Sequence, residues 1–219
     1  MPLPVLSPEE ARVLGCLVEK AMATPEYYPL TLNSLTLACN QKNNREPLVA
    51  YDEATVTLAL DVLRTQGLAE QVFISGSRVV KYGHKLDRTL KLEPAPLAVL
   101  CELLLRGPQT AGELRTRGSR LHPFADLPAA EAALDLLLHA TPEPLAVMLP
   151  VQPGRKEPRA CHLLAGMPDL SALPTASDAP RVPSASVSRL ESLEREVAEL
   201  RSAVTELQRQ LAELLGPSK

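Results

Sequence analysis

The chain has 219 residues, a net charge of −3 and a 45% apolar composition, enough for two small domains with aliphatic cores. It has no Trp, two Phe and four Tyr, so Leu, Val and Ala must fill those cores. The charge is spread evenly: ten Lys/Arg and ten Asp/Glu in residues 1–92, seven and eight in 93–168, six and eight in 169–219. That balance excludes a strongly basic polyanion-binding domain and confines any nucleic-acid surface to a local patch.

No 18-residue apolar run is present, so no membrane span is expected. MPLPVLSPEE is not a secretory signal. The four cysteines, Cys16, Cys39, Cys101 and Cys161, are scattered without a CxxC. A reduced, cytoplasmic protein with buried thiols is expected.

In chain order, the first helix opens at SPEE. Ser7 is the cap, Pro8 takes the first turn and Glu10 completes a capping box. Val13, Leu14, Leu17, Val18 and Ala21 form its apolar face. A second helix starts at Thr31, with Leu32, Leu35 and Ala38 facing inward. The polar run CNQKNNREP (39–47) follows. A third helix runs from about Asp52 to Gln66 on Val56, Ala59, Leu60 and Leu63, and Gly67 stops it. AEQVFI, SGS and RVVKY then read as a β-hairpin.

The same series recurs. VLGCL (13–17) matches VLCEL (99–103), TLNSL (31–35) matches TAGEL (110–114), and ALDVL (59–63) matches ALDLL (133–137). The offset shrinks because the first copy carries two insertions, around MATPEYYP and around CNQKNNREP. In the second copy Thr110 and Glu113 form a capping box and Leu114 is the anchor. Its third helix runs from about Asp126 to His139 on Ala130, Ala133, Leu134 and Leu137. LAVMLP and RACHLLA give a second hairpin. Three helices and a hairpin, twice, match the order of tandem winged-helix domains. The fold expected is mainly α with small β-hairpin wings, with domains at 1–92 and 93–167.

Residues 168–188 have linker composition, rich in Pro, Ala and Ser. From 189 to 216, Leu190, Leu193, Val197, Leu200, Val204, Leu207, Leu211 and Leu214 recur at alternating spacings of three and four, a heptad seam. Opposite charges at the flanking positions, Arg189 with Glu194 and Glu196 with Arg201, suit a parallel homodimer with a rod of about 37 Å. The alternative is a helix folded back on its own domains.

LSPEEARVLGCLVEKAMATPEYYPLTLNSL, CNQKNNREP, GSRVVKYGHKL, LLRGPQTAGELRTR and HLLAGMPDL together resemble the YceH-like family of uncharacterised bacterial proteins. The resemblance covers about residues 5–165. It implies two winged-helix domains in a bacterial cytoplasm, and it brings neither an activity nor a ligand.

Three functions were weighed from the residues. For DNA, winged-helix geometry would bring Gln41, Lys42, Asn43, Asn44 and Arg45 close to the third helix, with Arg64 on it and Arg78, Lys81 and Lys85 on the hairpin and its exit. Asn and Gln can pair with adenine edges, and Lys and Arg with guanine or phosphate. The bland reading of each patch is a solvated surface. Against DNA, Glu53 and Asp61 lie on the first third helix, and the second has no Lys or Arg from Asp126 to Ala140. The runner-up is a protein–protein adaptor, for which Tyr27 and Tyr28 between prolines are candidate contacts. The bland reading has both rings covering the first helix. Catalysis lacks a motif: the four His are dispersed, with no metal spacing, phosphate loop or cofactor signature. The sequence therefore predicts a non-enzymatic, cofactor-free DNA-binding regulator, with an adaptor as the alternative.

Overall fold

The structure is a computed structural model that describes residues 5–73, 79–151 and 155–168. Helix α1 (Pro8–Ala23) starts as its sequence dictates: the Glu10 N–H donates to Ser7 Oγ at 3.2 Å, and the Ser7 N–H to Glu10 Oε2 at 3.1 Å. A 3-10 turn (Pro25–Tyr27) leads to β1 (Leu30–Thr31) and α2 (Leu32–Cys39), capped by Thr31. Helix α3 (Glu53–Thr65), capped by Asp52, buries Val56, Ala59, Leu60 and Leu63. Gly67, at φ +72°, ends it where only glycine is unstrained. Then come β2 (Ala69–Val72), β3 (Lys81–His84) and α4 (Leu86–Leu90).

The second copy repeats the order with α5 (Pro94–Arg106), α6 (Ala111–Gly118), α7 (Leu127–Leu138), β4 (Ala146–Leu149) and β5 (Arg159–His162). Its Thr110–Glu113 capping box forms, Leu114 is fully buried, and α7 buries the four residues of its expected stripe. The protein is thus mainly α with two small antiparallel sheets. Even the minor pairings correspond. Leu30 and Thr31 pair with β3 just ahead of α2, and Gln109 bridges Ala160 just ahead of α6.

Two features differ from expectation. The returning strand of the first hairpin is Lys81–His84, not the RVVKY segment. It lies between β1 and β2, so its register satisfies two neighbours rather than one hairpin partner. Helix α4 was also unforeseen. Leu86, fully buried, anchors it. The residues of the expected heptad seam, Leu190, Leu193, Val197, Leu200, Val204, Leu207, Leu211 and Leu214, and those of the expected linker from residue 169 onward, lie outside the described residues.

The copies meet through α1 and α5. Every residue of α5 from Pro96 to Leu105 is buried, which suits a helix apolar on nearly all sides. Gly15 makes the contact close: a Cβ there would stand 2.9 Å from Leu105 Cδ2 and 3.2 Å from Leu104 Cβ. Cys101 Sγ reaches the Gly15 carbonyl at 3.4 Å.

Two carboxylates are sealed into this contact, Glu19 from α1 and Glu102 from α5, with side chains 1% and 0% exposed. Arg120, in the turn after α6, bridges them with nitrogens 2.7 Å from each. Arg45, fully buried, also pairs with Glu19: one guanidinium nitrogen lies 3.0 Å from Oε1 and the other bonds Oε2. Arg45 Nε donates to the Ala38 carbonyl at 3.1 Å. Arg106 lies 3.3 Å from Glu102 Oε2 and hydrogen-bonds Asn44 Oδ1. Burial would raise the Glu19 carboxyl, but the hydrogen bonds and charge of Arg45, with Arg120, hold it below the ordinary range.

This cluster generates the first prediction. Arg45→Met leaves Glu19 buried with Arg120 as its main partner, and the expected loss is about 3 kcal/mol in urea unfolding. Adding Glu19→Gln removes the stranded charge, so the double variant should lose less than the sum of the two singles. Lys42→Ala, on the exposed surface of the same loop, should stay within about 0.5 kcal/mol of the parent. Additive losses, or an Arg45→Met protein as stable as the parent, would contradict the cluster.

The second prediction concerns His162 on β5. Burial pushes its imidazole down to about 4, below the ordinary 6.5. The unfolded chain therefore binds more protons between those values. The contribution to stability is complete above pH 6.5 and is lost as pH falls toward 4. His162 keeps some exposure, so the expected loss is about 1–3 kcal/mol. His162→Gln should flatten this part of the stability profile relative to the parent; parallel profiles would refute the shift.

Candidate functional site

Residues 41–45 are candidates for contact with nucleic acid, and the loop 40–47 that carries them divides. Asn40 closes α2 and clasps the Tyr51 backbone, donating to its carbonyl at 2.7 Å and accepting from its N–H at 2.8 Å. Asn44 takes a left-handed φ of 60° and turns its side chain to Arg106. Arg45 was expected at the surface. It is buried in the ion cluster, since its guanidinium is what neutralises Glu19, and it is withdrawn as a nucleic-acid contact. Arg12 holds the loop from beneath, donating to the carbonyls of Cys39 at 3.1 Å and Pro47 at 2.6 Å. The Glu46 N–H donates to the Leu105 carbonyl at 2.9 Å. Gln41, Lys42 and Asn43 remain exposed, and Gln41 accepts from Lys20 and Arg45.

The other predicted cations are also largely engaged. Arg64 pairs with Asp61 at 3.0 Å, and Lys85 lies 4.0 Å from Glu70. In the second copy Arg117 and Arg159 converge on Glu113 at 3.4 and 3.0 Å. Arg78 lies outside the described residues. Among the described residues, Arg12, Lys42, Lys81, Arg88, Lys91, Arg115 and Lys156 have no ion-pair partner. Lys42 and Lys81 are not neighbours along the fold. Lys81 pairs in register with Thr31, the N-cap of α2, whereas Lys42 lies beyond its C-terminal end, about 12 Å along the axis at the usual helical rise.

The outward faces of the third helices have a different character. On α3, Glu53, Leu58, Asp61 and Val62 are exposed, with Leu58 at 70%. On α7, Glu131, Ala132, Asp135 and Leu136 are exposed, with Leu136 at 60%. Both faces combine carboxylates with aliphatic side chains. A phosphate backbone would be repelled, and aliphatic groups would find little to contact beyond a thymine methyl.

Beside α7 the surface forms a groove with a volume of about 380 Å³. Leu134, Leu138 and Met148 supply its apolar lining, and Glu131, Asp135 and Glu157 supply negative charge. Helix α7 positions four of these residues by its period, because Glu131, Leu134, Asp135 and Leu138 recur at intervals of three, one and three. No cation lines the groove. Its sequence signal was the acidic, cation-free third helix; the contribution of Met148 and Glu157 from the hairpin required the tertiary fold.

The tyrosines separate. Tyr27 is 72% exposed, whereas the Tyr28 hydroxyl accepts from the His84 N–H at 2.6 Å. All four cysteines are buried and free, and burial pushes the Cys161 thiol up to about 11 and Cys101 well above its ordinary value. Thiols held neutral in this way suit packing. Among the described residues no group of His, Cys, Asp and Glu has the geometry to hold a metal, and no helix is long and apolar enough to cross a membrane.

Residues 6–155 match the family model described as a protein of unknown function, DUF480. A UPF0502 protein of Geobacter sulfurreducens is 61% identical over 168 residues, covering 77% of this chain and 76% of that protein. One from Geotalea uraniireducens is 54% identical over 207 residues, 93% of this chain and 94% of its own length. One from Opitutus terrae is 53% identical over 200 residues, 91% and 85% respectively. The matched region takes in both copies up to β4 and the ion cluster between them, and with identities this high the chain belongs to the DUF480/UPF0502 family of uncharacterised bacterial proteins.

Proposed function

We propose that this protein is a non-catalytic adaptor of the bacterial cytoplasm that binds a partner protein. In this reading its two helix–helix–helix–hairpin units are tandem winged helices, and the heptads from Leu190 to Leu214 pair two chains. The observation that carries it is the acid-rimmed apolar groove on α7, where Glu131, Asp135 and Glu157 surround Leu134, Leu138 and Met148. Such a surface complements a short amphipathic segment with Leu-type anchors and Lys or Arg flanks. Apolar burial supplies affinity, and the charges set orientation and select against acidic competitors. The corresponding face of α3, with Leu58 and Val62 beside Glu53 and Asp61, has the same chemistry.

DNA binding is the second reading, and the exposed Lys42 and the unpaired Lys81 favour it. It has lost Arg45 to the core and Arg64 to Asp61. Of the cations named for it, Lys42 and Lys81 lie at opposite ends of α2.

A labelled amphipathic peptide with Leu anchors and Lys flanks should bind the full chain in fluorescence anisotropy, and a Glu-flanked counterpart should not. Glu131→Lys with Asp135→Lys, both exposed and away from the core, should weaken the Lys peptide at least tenfold. In parallel, duplex DNA should give no gel shift at moderate salt. A salt-sensitive shift that Lys42→Ala and Lys81→Ala abolish, with neither peptide bound, would replace the adaptor with the DNA reading. Truncation after Pro168 should convert dimers to monomers in sedimentation; a truncated protein that remains dimeric removes the heptads as the dimer contact.

A further inference from the structure

The first copy's other insertion, MATPEYYP, has no counterpart in the second copy. It brings Tyr28 and Pro29 over the outer end of the three-stranded sheet, and α4 closes from the other side with Asp87 and Arg88. Between them lies a cavity with a volume of about 230 Å³, completed by Glu70, Val72, Gly83 and His84. The interior offers groups that can act on a ligand. The His84 side chain is only 8% exposed, and its Nδ1 has no hydrogen-bond partner. That nitrogen lies 3.4 Å from Asp87 Oδ1 without hydrogen-bond alignment. A buried ring nitrogen costs free energy unless a hydrogen-bond partner reaches it. The ring's position is tightly specified. Its backbone N–H is held by Tyr28 Oη at 2.6 Å, and the two ring centroids are 6.0 Å apart. Gly83 makes room for the tyrosine, since a Cβ there would stand 3.1 Å from Tyr28 Oη.

The charges on the walls are of both signs. Asp87 and Glu70 are acidic and Arg88 is basic, while Lys85, 4.0 Å from Glu70, partly offsets that carboxylate. Burial lowers the imidazole of His84, against the pull of Asp87, so the ring is neutral at neutral pH and can accept a proton donor. Burial also pushes the Tyr28 phenol up to about 12, which keeps it uncharged. The volume falls below the roughly 300–1,000 Å³ of sites for drug-sized ligands, which suits a small ligand.

We propose that this cavity binds a small zwitterion of the amino-acid class. The ligand's ammonium group donates to the Asp87 carboxylate and His84 Nδ1, and its carboxylate meets Arg88. A neutral molecule would leave the wall charges uncompensated, and an anion without an ammonium group would face two carboxylates. The site belongs to the first copy alone, because its walls come from the insertion and from α4. It is independent of the groove on α7.

The test is a titration of the full-length protein with free amino acids at millimolar concentration, read by amide chemical shifts and by thermal melting. At least one free amino acid should move the amides of Gly83, His84 and Asp87 and raise the melting temperature. Its N-acetylated form should do neither. Asp87→Asn, at a partly exposed position on α4, should weaken binding at least tenfold while the far-ultraviolet spectrum stays that of the parent. Arg88→Ala should weaken the free amino acid but leave the weaker binding of its methyl ester unchanged. The proposal is overturned if no free amino acid perturbs these amides, if the N-acetyl form binds equally well, or if the folded Asp87→Asn variant binds as the parent does.

Discussion

The packing of the two copies rests on the neutralisation of two buried carboxylates. Glu19 and Glu102 stand on the helices that form the α1–α5 contact, and neither side chain reaches water. Taking an ionised carboxylate out of water costs several kcal/mol even after relaxation, so each needs cations at close range. The chain supplies them from separate places: Arg45 from the inserted loop of the first copy, Arg120 from the turn after α6, and Arg106 from the end of α5. A buried ion cluster adds less stability than aliphatic packing of the same volume would, but it is far more demanding about geometry. It fits only when the loop, α1, α5 and the turn after α6 have all reached their places. This explains why the first copy carries an insertion where the second does not. Residues 40–47 act as a clasp, with Asn44 and Arg45 reaching inward and the Glu46 N–H bonded to the end of α5.

Much of the fold could be read from local chemistry. Ser7, Thr31, Asp52, Thr110 and Asp126 were all legible as helix starts because capping depends on residues three positions apart, and each accepts the expected backbone hydrogen bond. The stripes on α3 and α7 were legible for the same reason, since a period of 3.6 shows in a dozen residues. The returning strand of the first hairpin was placed too early because β1, only two residues long, joins β3 from far away in sequence, and no local pattern announces it. Arg45 was misplaced for a related reason. Polarity in a loop reads as exposure until its partner is known, and that partner, Glu19, is 26 residues distant. A signal was present at the cluster's other carboxylate. Glu102 sits within LAVLCELLL, and a carboxylate inside a run buried on every face demands a cation.

The ion cluster also changes the electrostatic reading of the surface. A count of Lys and Arg treats each as available, but the fold spends Arg45, Arg106 and Arg120 on buried carboxylates, and Arg117 and Arg159 on Glu113. The carboxylates of the third helices have few such internal partners. Asp61 meets Arg64 and Asp135 meets His139, while Glu131 and Glu157 line a groove with no cation in its walls. A chain of net charge −3 therefore presents a face more acidic than its composition suggests, at the position where a groove-reading winged helix would need to be basic. Each of these helices also exposes a Leu, Leu58 on α3 and Leu136 on α7.

Duplication gives these features a common logic. Two copies of one unit begin with equal obligations to bury a core, and each insertion in the first copy has a local consequence that its counterpart in the second lacks. One insertion supplies Asn44 and Arg45 to the contact between copies. The other lays Tyr28 against His84 and, with α4, lines an open charged cavity. The second copy, without either, keeps a short connection ahead of α7 and an open groove between that helix and its hairpin. The elaborated copy and the plain one are joined through a charge cluster that tolerates little misfit. The central strand of the three-stranded sheet, β3, also contacts α1, the helix that carries Glu19 into the cluster.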